Sequence, residues 1–169
     1  GQDHLIQSLP EILKSVPDAH LLMVGQGPYL SHLKKLVSRH NLADHVSFIG
    51  RIQYAQLPQY ICAGDIFAMP SRSRFFGLEV EGLGIVYLEA SACGLPVIAG
   101  SSGGAPDAVL NGVTGFVVDG QKNQEIAAAA IRLLSDLDQA KKMGTAGREW
   151  IIENWRWEIW SQRFNKLLQ

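Results

Sequence analysis

The chain has 169 residues, 47% of them apolar, and a formal net charge of −1. That is enough for one domain with a substantial core, and it lacks the basic excess expected of a nucleic-acid binder. No apolar run approaches the roughly 18 residues that span a bilayer, and no signal-peptide pattern opens the chain. Cys62 and Cys93 lie in apolar surroundings without a metal-ligand or redox spacing. They read as buried thiols in a reducing, cytoplasmic compartment, with no disulfide between them.

Taken in order, apolar periodicity predicts a helix over Asp3–Val16, a strand over His20–Val24, a helix over Tyr29–His40 and a strand over Val46–Ile49. Leu57–Cys62 reads as a short helix and Ile66–Met69 as a strand. Ile85–Cys93 reads as a helix ended by Gly94, and Val97–Ala99 as a strand after Pro96. A short element at Asp107–Leu110, a strand over Phe116–Val118, a helix over Gln124–Leu134 and a helical region from Gln139 onward complete the pattern. Strands rich in Val, Ile and Phe between helices imply an α/β fold whose parallel sheet is covered on both faces.

In such sheets ligands bind beyond the carboxyl ends of the strands. The five loops expected there are Gly25-Gln26-Gly27, Gly50-Arg51, the long Ser71–Gly84 segment, Gly100–Gly104 and Asp119-Gly120. All carry glycine, which favours a nucleotide crevice. Gly25 and Gly27 resemble the start of a dinucleotide fingerprint, but Leu30 stands where its third glycine belongs. Gly82-Leu83-Gly84 fails in the same way, and no Gly-x4-Gly-Lys-Ser/Thr pattern occurs. The five histidines are scattered without the spacing of a metal site.

The most informative stretch is Glu81-Gly82-Leu83-Gly84-Ile85-Val86-Tyr87-Leu88-Glu89. Gly82 and Gly84 allow a close backbone approach, and a helix opening at Ile85 leaves amides free for a phosphate. Glu89, amid Val86, Leu88, Ala90 and Cys93, reads as a largely buried carboxylate in need of donors, which a vicinal diol supplies. At about 1.5 Å per residue it lies roughly 6 Å beyond the helix start, within reach of a ribose whose phosphates rest on those amides.

Two glutamates separated by seven residues, with Gly-x-Gly-Ile between them, resemble the Glu-x7-Glu signature of retaining GT-B glycosyltransferases of family 4. Val24–Pro28, Val46–Gly50, Ala63–Asp65, Met69–Ser71, Glu89–Ile98 and Gly112–Phe116 resemble further landmarks in the same order, so nearly the whole chain is covered. Ser71–Arg74 and Gly77–Ala90 look most like the phosphatidylinositol mannosyltransferase branch, which uses GDP-mannose.

The resemblance implies a single Rossmann-like, three-layer domain over residues 1–169, the C-terminal, donor-binding half of a longer protein. The acceptor domain, this domain's first strand, and an Arg and Lys that clamp the diphosphate are expected before Gly1. It implies that Glu89 holds the ribose, that Glu81 contacts hydroxyls of the transferred sugar, and that the amides of Gly84, Ile85 and Val86 meet phosphate and sugar. Leu83 stands where many relatives have Phe. Gly50, Arg51 and Ile52 match the segment along the nucleobase, with uracil and guanine both open. Arg72 and Arg74, in a loop long enough to be functional, either meet a diphosphate or an anionic acceptor or are solvated loop residues, and Phe75 and Phe76 either close over the site or pack inward. Ser102-Gly103-Gly104 lies near the donor sugar.

The implied activity is retaining transfer of a hexose from GDP-mannose or a UDP-sugar to an acceptor sugar or lipid-linked glycan. No metal or other cofactor is implied, and membrane contact comes only through the preceding domain, at the inner membrane face. A GT-B sugar-nucleotide 2-epimerase and a noncatalytic nucleotide-sugar-binding module are the alternatives. Trp150, Trp155, Trp157 and Trp160 suggest core packing or an interface.

Overall fold

The structure is a computed structural model that describes residues 1–168. Helix α1 (Gln2–Ser15) is followed by β1 (Leu21–Val24), α2 (Leu30–Arg39), β2 (Val46–Gly50), α3 (Leu57–Cys62) and β3 (Phe67–Met69). The chain continues through α4 (Ile85–Ala92), β4 (Val97–Gly100), β5 (Gly115–Val118), α5 (Asn123–Leu134), α6 (Leu137–Asn154) and α7 (Trp157–Leu167). Each predicted element is present, with ends shifted by a residue or so. The region after Gln139 is two helices rather than one, broken at Trp155, and Asp107–Leu110 is preceded and partly replaced by a 3-10 turn at Ala105–Ala108.

Burying one apolar face drives each helix. In α1, Leu5, Ile6, Leu9 and Ile12 recur at helical spacing and are all buried. Pro10 inside that helix costs about 3 kcal/mol, but four buried aliphatic side chains at roughly 1.5–3 kcal/mol each outweigh it. Helix α5 offers a face of small residues, Ala127, Ala129 and Ala130, flanked by Ile126 and Leu133. The small face lets α1 approach closely, and Ser8 Oγ bridges the two helices by donating to the carbonyls of His4 (2.7 Å) and Asn123 (3.0 Å).

The strand side chains sort into two cores by alternation, as period-2 geometry requires. Ile66, Ala68, Ile98, Phe116 and Val118 face α1, α2 and α5, together with Leu21, Met23, Val46 and Phe48. Phe67, Met69, Val97, Ala99 and Val117 face α3, α4 and the Ala105–Ala108 turn. This is the expected three-layer arrangement, with every strand pair parallel.

Two features differ from the sequence reading. The strands form two separate ladders, β1–β2 and β3–β4–β5, rather than one continuous sheet. The sheet is also not covered on both faces throughout: Leu22, Val24 and Ile49 on the second face of β1–β2 are exposed. A strand's apolar content alone does not reveal whether a layer packs on each side.

The thiols differ from expectation too. Cys62 is exposed and Cys93 half-buried, both free. Burial, reinforced by a hydrogen bond with the neighbouring Cys62 thiol, pushes the Cys93 thiol up to about 11. Three histidines hold the periphery through His4 Nδ1 to Asn123 Oδ1 (2.6 Å), His20 Nε2 to Ser47 Oγ (2.8 Å) and His45 Nδ1 to the Ala19 carbonyl (3.0 Å). Trp155 lies between Trp150 and Trp160, with centroids 5.7 and 5.4 Å away, while Trp157 is exposed.

Helix α6 packs on α4 at glycine. A Cβ added to Gly144 would stand 1.9 Å from the Gly94 carbonyl oxygen, so Gly144→Ala should cost about 2 kcal/mol by forcing backbone from backbone. Urea unfolding monitored by circular dichroism tests this, and an unshifted midpoint would show that the helices separate freely. At pH 8.5, where Cys93 remains a thiol, iodoacetamide should label Cys62 well before Cys93 in timed peptide mapping; equal rates would contradict the environment assigned to Cys93.

Candidate functional site

The site is built around the start of α4. Gly84 caps the helix in the left-handed region (φ 72°, ψ 65°), and no side chain caps it. A Cβ at this position would lie 2.3 Å from the Tyr87 ring. Backbone conformation and the buried ring therefore both demand glycine here. Among the described residues, the amides of Gly84, Ile85 and Val86 donate to no carbonyl or side chain. Unpaired amides with the positive end of the helix dipole form an anion-binding mouth.

Two strand-end segments hold that mouth in place. Tyr87 is fully buried, and its hydroxyl donates to the Met69 carbonyl (2.7 Å) and pairs with the Ser71 hydroxyl (3.0 Å) after β3. Burial raises this hydroxyl's pKa, opposed by the Ser71 hydrogen bond and reinforced by the Glu81 carboxylate. Behind the loop, the Glu81 amide donates to buried Ser102 Oγ (3.2 Å), which also meets Ser73 Oγ (3.1 Å). The Gly104 amide donates to two carbonyls of the loop, those of Glu81 (3.1 Å) and Gly82 (2.9 Å). A Cβ on Gly103 would sit 1.9 Å from the Glu81 oxygen, and one on Gly104 2.2 Å from the Gly82 oxygen. Ser102-Gly103-Gly104 thus shapes the loop from beneath.

On the other side, Arg51 and Ile52 line an open cavity of about 710 Å³ with Ile49, Gln53, Tyr54, Gln56 and Tyr60. Gly50 ends β2 at its rim, and its carbonyl accepts from the Gly25 amide (2.8 Å), so the loop carrying Gly25 and Gly27 is tied to the same edge. Tyr54 spans from this wall to α4: its hydroxyl donates to Glu89 Oε1 at 3.2 Å. Glu89 is half-buried rather than largely buried, because α4 presents it to Tyr54 and keeps Tyr87, Ala90 and Ser91 inward.

Glu81, half-buried, carries no side-chain hydrogen bond to its carboxylate among the described residues. Leu83 and Val86 pack against the core beneath α4, whereas Gly82 and Ile85 are exposed. The long loop departs most from expectation. Arg72 is engaged within the domain: its two Nη atoms donate to Asp3, each at 2.7 Å, with Tyr29 Oη donating to the same carboxylate at 3.1 Å. The side chains of Arg72 and Asp3 are only 19% and 10% exposed. Arg74 is exposed, 3.7 Å from Glu79 and over the Phe75 ring. Phe75 and Phe76 neither close over the site nor pack inward; both are exposed, with φ of 48° and 55°.

The Arg72–Asp3–Tyr29 cluster joins the start of α1, the loop after β1 and the loop after β3. It places the carboxyl ends of both ladders along one edge. Tyr54, Tyr87 and Asp3 are site-forming residues to which the sequence pattern assigns no such role. Tyr87 lay inside the glutamate motif, and Asp3 in a first helical turn; neither position by itself reveals a partner some 18 or 69 residues away.

Residues 1–150 match the family model of glycosyl transferases group 1. The chain belongs to this family. It is 52% identical over 168 residues to a GDP-mannose-dependent alpha-(1-6)-phosphatidylinositol monomannoside mannosyltransferase of Mycolicibacterium smegmatis, covering 99% of this chain and 44% of that protein. A group 1 domain of this kind also superposes on sucrose-phosphate synthase from Thermosynechococcus elongatus with a TM-score of 0.87 at 31% identity, over 99% of this chain and 41% of the other. Anabaena HepE in complex with UDP-glucose gives 0.84 at 26% identity, over 99% and 44%. These neighbours are GT-B glycosyltransferases, and the expected Rossmann-like fold is confirmed. The group 1 chain thus spans less than half the length of the relatives it matches. No helix among its described residues is long and apolar enough to cross a membrane.

Burial by itself would raise the Asp3 carboxyl, but hydrogen bonds from Arg72, the His4 amide and Tyr29 outweigh it and hold the group well below the usual carboxylate range. Asp3→Asn should lower stability by about 3 kcal/mol at pH 7, because Arg72 is left without its counter-charge. A depressed folded value means the contribution is complete above the unfolded value of about 3.9 and disappears as pH falls through the folded one. The urea midpoints of wild type and Asp3→Asn should therefore draw together as pH falls below about 4; parallel curves down to about pH 2 would refute the pairing.

Proposed function

We propose that this domain is the donor site of a retaining hexosyltransferase that moves mannose from GDP-mannose to a hydroxyl of a phosphatidylinositol mannoside or similar lipid-linked glycan. The observation that carries the reading is that Glu89, on the helix with the uncapped mouth, is hydrogen-bonded to Tyr54 in the wall of the Arg51–Ile52 cavity. The resemblance to a mannosyltransferase at 52% identity supports the choice of donor and acceptor.

In this reading the base occupies the cavity beyond β2, the ribose hydroxyls donate to Glu89, and the diphosphate rests on the amides of Gly84, Ile85 and Val86. Charge builds on the diphosphate as the glycosidic bond breaks, and fixed amide dipoles stabilise that charge without having to reorganise. The amides and basic side chains of the whole protein carry this load without a metal. Glu81, held at its own amide by Ser102, offers its carboxylate to hydroxyls of the departing sugar and orients the anomeric carbon. The half-buried Arg72 is assigned to the architecture of the edge rather than to the phosphates, while the exposed Arg74, beside Glu79, is the arginine placed to meet an anionic acceptor. The protein works at the cytoplasmic side of the membrane as a peripheral enzyme, reaching its lipid acceptor through the rest of the chain.

Calorimetric titration of the full-length protein with GDP, UDP and ADP tests the donor. GDP should bind tightest, and Glu89→Ala should weaken it by about ten-fold or more while the melting temperature stays put, because hydrogen bonds to a charged group are worth about 1.5–3 kcal/mol. Equal affinity in wild type and Glu89→Ala would remove Glu89 from the site.

A further inference from the structure

Tyr54 sits in the 3-10 turn after β2 and is 80% exposed, yet its only polar side-chain atom is engaged by a residue 35 positions away, at Oε1 of Glu89. The turn that carries it is held by two bonds between the same residues: the Gln56 amide donates to the Gln53 carbonyl at 2.9 Å, and the Gln56 side chain accepts from the Gln53 amide at 3.2 Å. Burial does not explain the ring's position. A tyrosine left this open in water would otherwise sample several rotamers at little cost.

We propose that Tyr54 is a positioning residue for the nucleotide ribose, holding the Glu89 carboxylate ready for the diol. This rests on the donor-site reading above and adds to it a residue from a different element. An ionised carboxylate accepts on two oxygens with about four lone-pair sites. The phenol takes one site on Oε1 and leaves Oε2, with the remaining sites, to the two ribose hydroxyls. It also selects one rotamer of Glu89 before the nucleotide arrives, so that less conformational freedom is lost on binding. The same bridge joins the cavity wall to α4, fixing the distance between the subsites for base and ribose.

Tyr54→Phe keeps the ring and removes the hydroxyl. The full-length protein is titrated with GDP, 2′-deoxy-GDP and 3′-deoxy-GDP as wild type, Tyr54→Phe and Glu89→Ala, and donor kinetics are measured for the first two. Tyr54→Phe should bind GDP about five-fold more weakly and lose less affinity for either deoxynucleotide, which presents only one hydroxyl to Glu89. Its preference for ribose should therefore shrink, KM for the donor should rise and kcat should hold. A ribose preference equal to wild type in Tyr54→Phe, with that preference lost in Glu89→Ala, overturns the role of Tyr54 and leaves the donor site standing. A wild-type protein that does not distinguish ribose from either deoxyribose overturns both.

Discussion

The site depends on backbone packed against backbone beneath the mouth of α4. Ser102-Gly103-Gly104 lies so close to the Glu81 and Gly82 carbonyls that no side chain fits between them, and the Gly104 amide donates to those same oxygens. With its carbonyls occupied below, the loop is held where it enters α4. Tyr87 fills the space under Gly84 and secures β3's end through its hydroxyl. A close-packed interior transmits position well because it has few alternative arrangements, and an anion site made of amides needs that rigidity.

A second constraint acts at long range. Asp3 and Arg72 form a bidentate pair largely removed from water, with Tyr29 completing the carboxylate's hydrogen bonds. Such a pair contributes less to net stability than its Coulomb energy suggests, since both ions are desolvated. Its geometric effect is larger: α1, the loop after β1 and the loop after β3 are drawn together although β1 and β3 share no ladder. The edge that carries the candidate site is thus maintained by side chains as well as by strand pairing.

Exposed groups around the edge complete the picture. Glu81, Glu89 and Arg74 keep their charged ends accessible, and the Phe75–Val80 tip holds apolar side chains in solvent with two non-glycine residues at positive φ. Strain and exposure in one short segment are features of surfaces used for contact rather than for stability. The uncovered face of β1–β2 and the exposed helix α7 are further surfaces not satisfied within this domain.

Much of this molecule was legible in its sequence. Period-2 and helical patterns located the strands and helices because burying an apolar face dominates local structure, and the glycine-rich loop with its two glutamates marked the mouth of α4, where conformation and charge are both written in residue type. What the chain alone could not specify was pairing between distant positions. Arg72 reads equally as a phosphate ligand or a structural ion pair until Asp3 is found beside it. Tyr54 is an ordinary turn residue until its hydroxyl meets Glu89. The division of five strands into two ladders, and the open face of one of them, depend on which layers pack together. Those choices are made by contacts across the fold, whose partners no local pattern names.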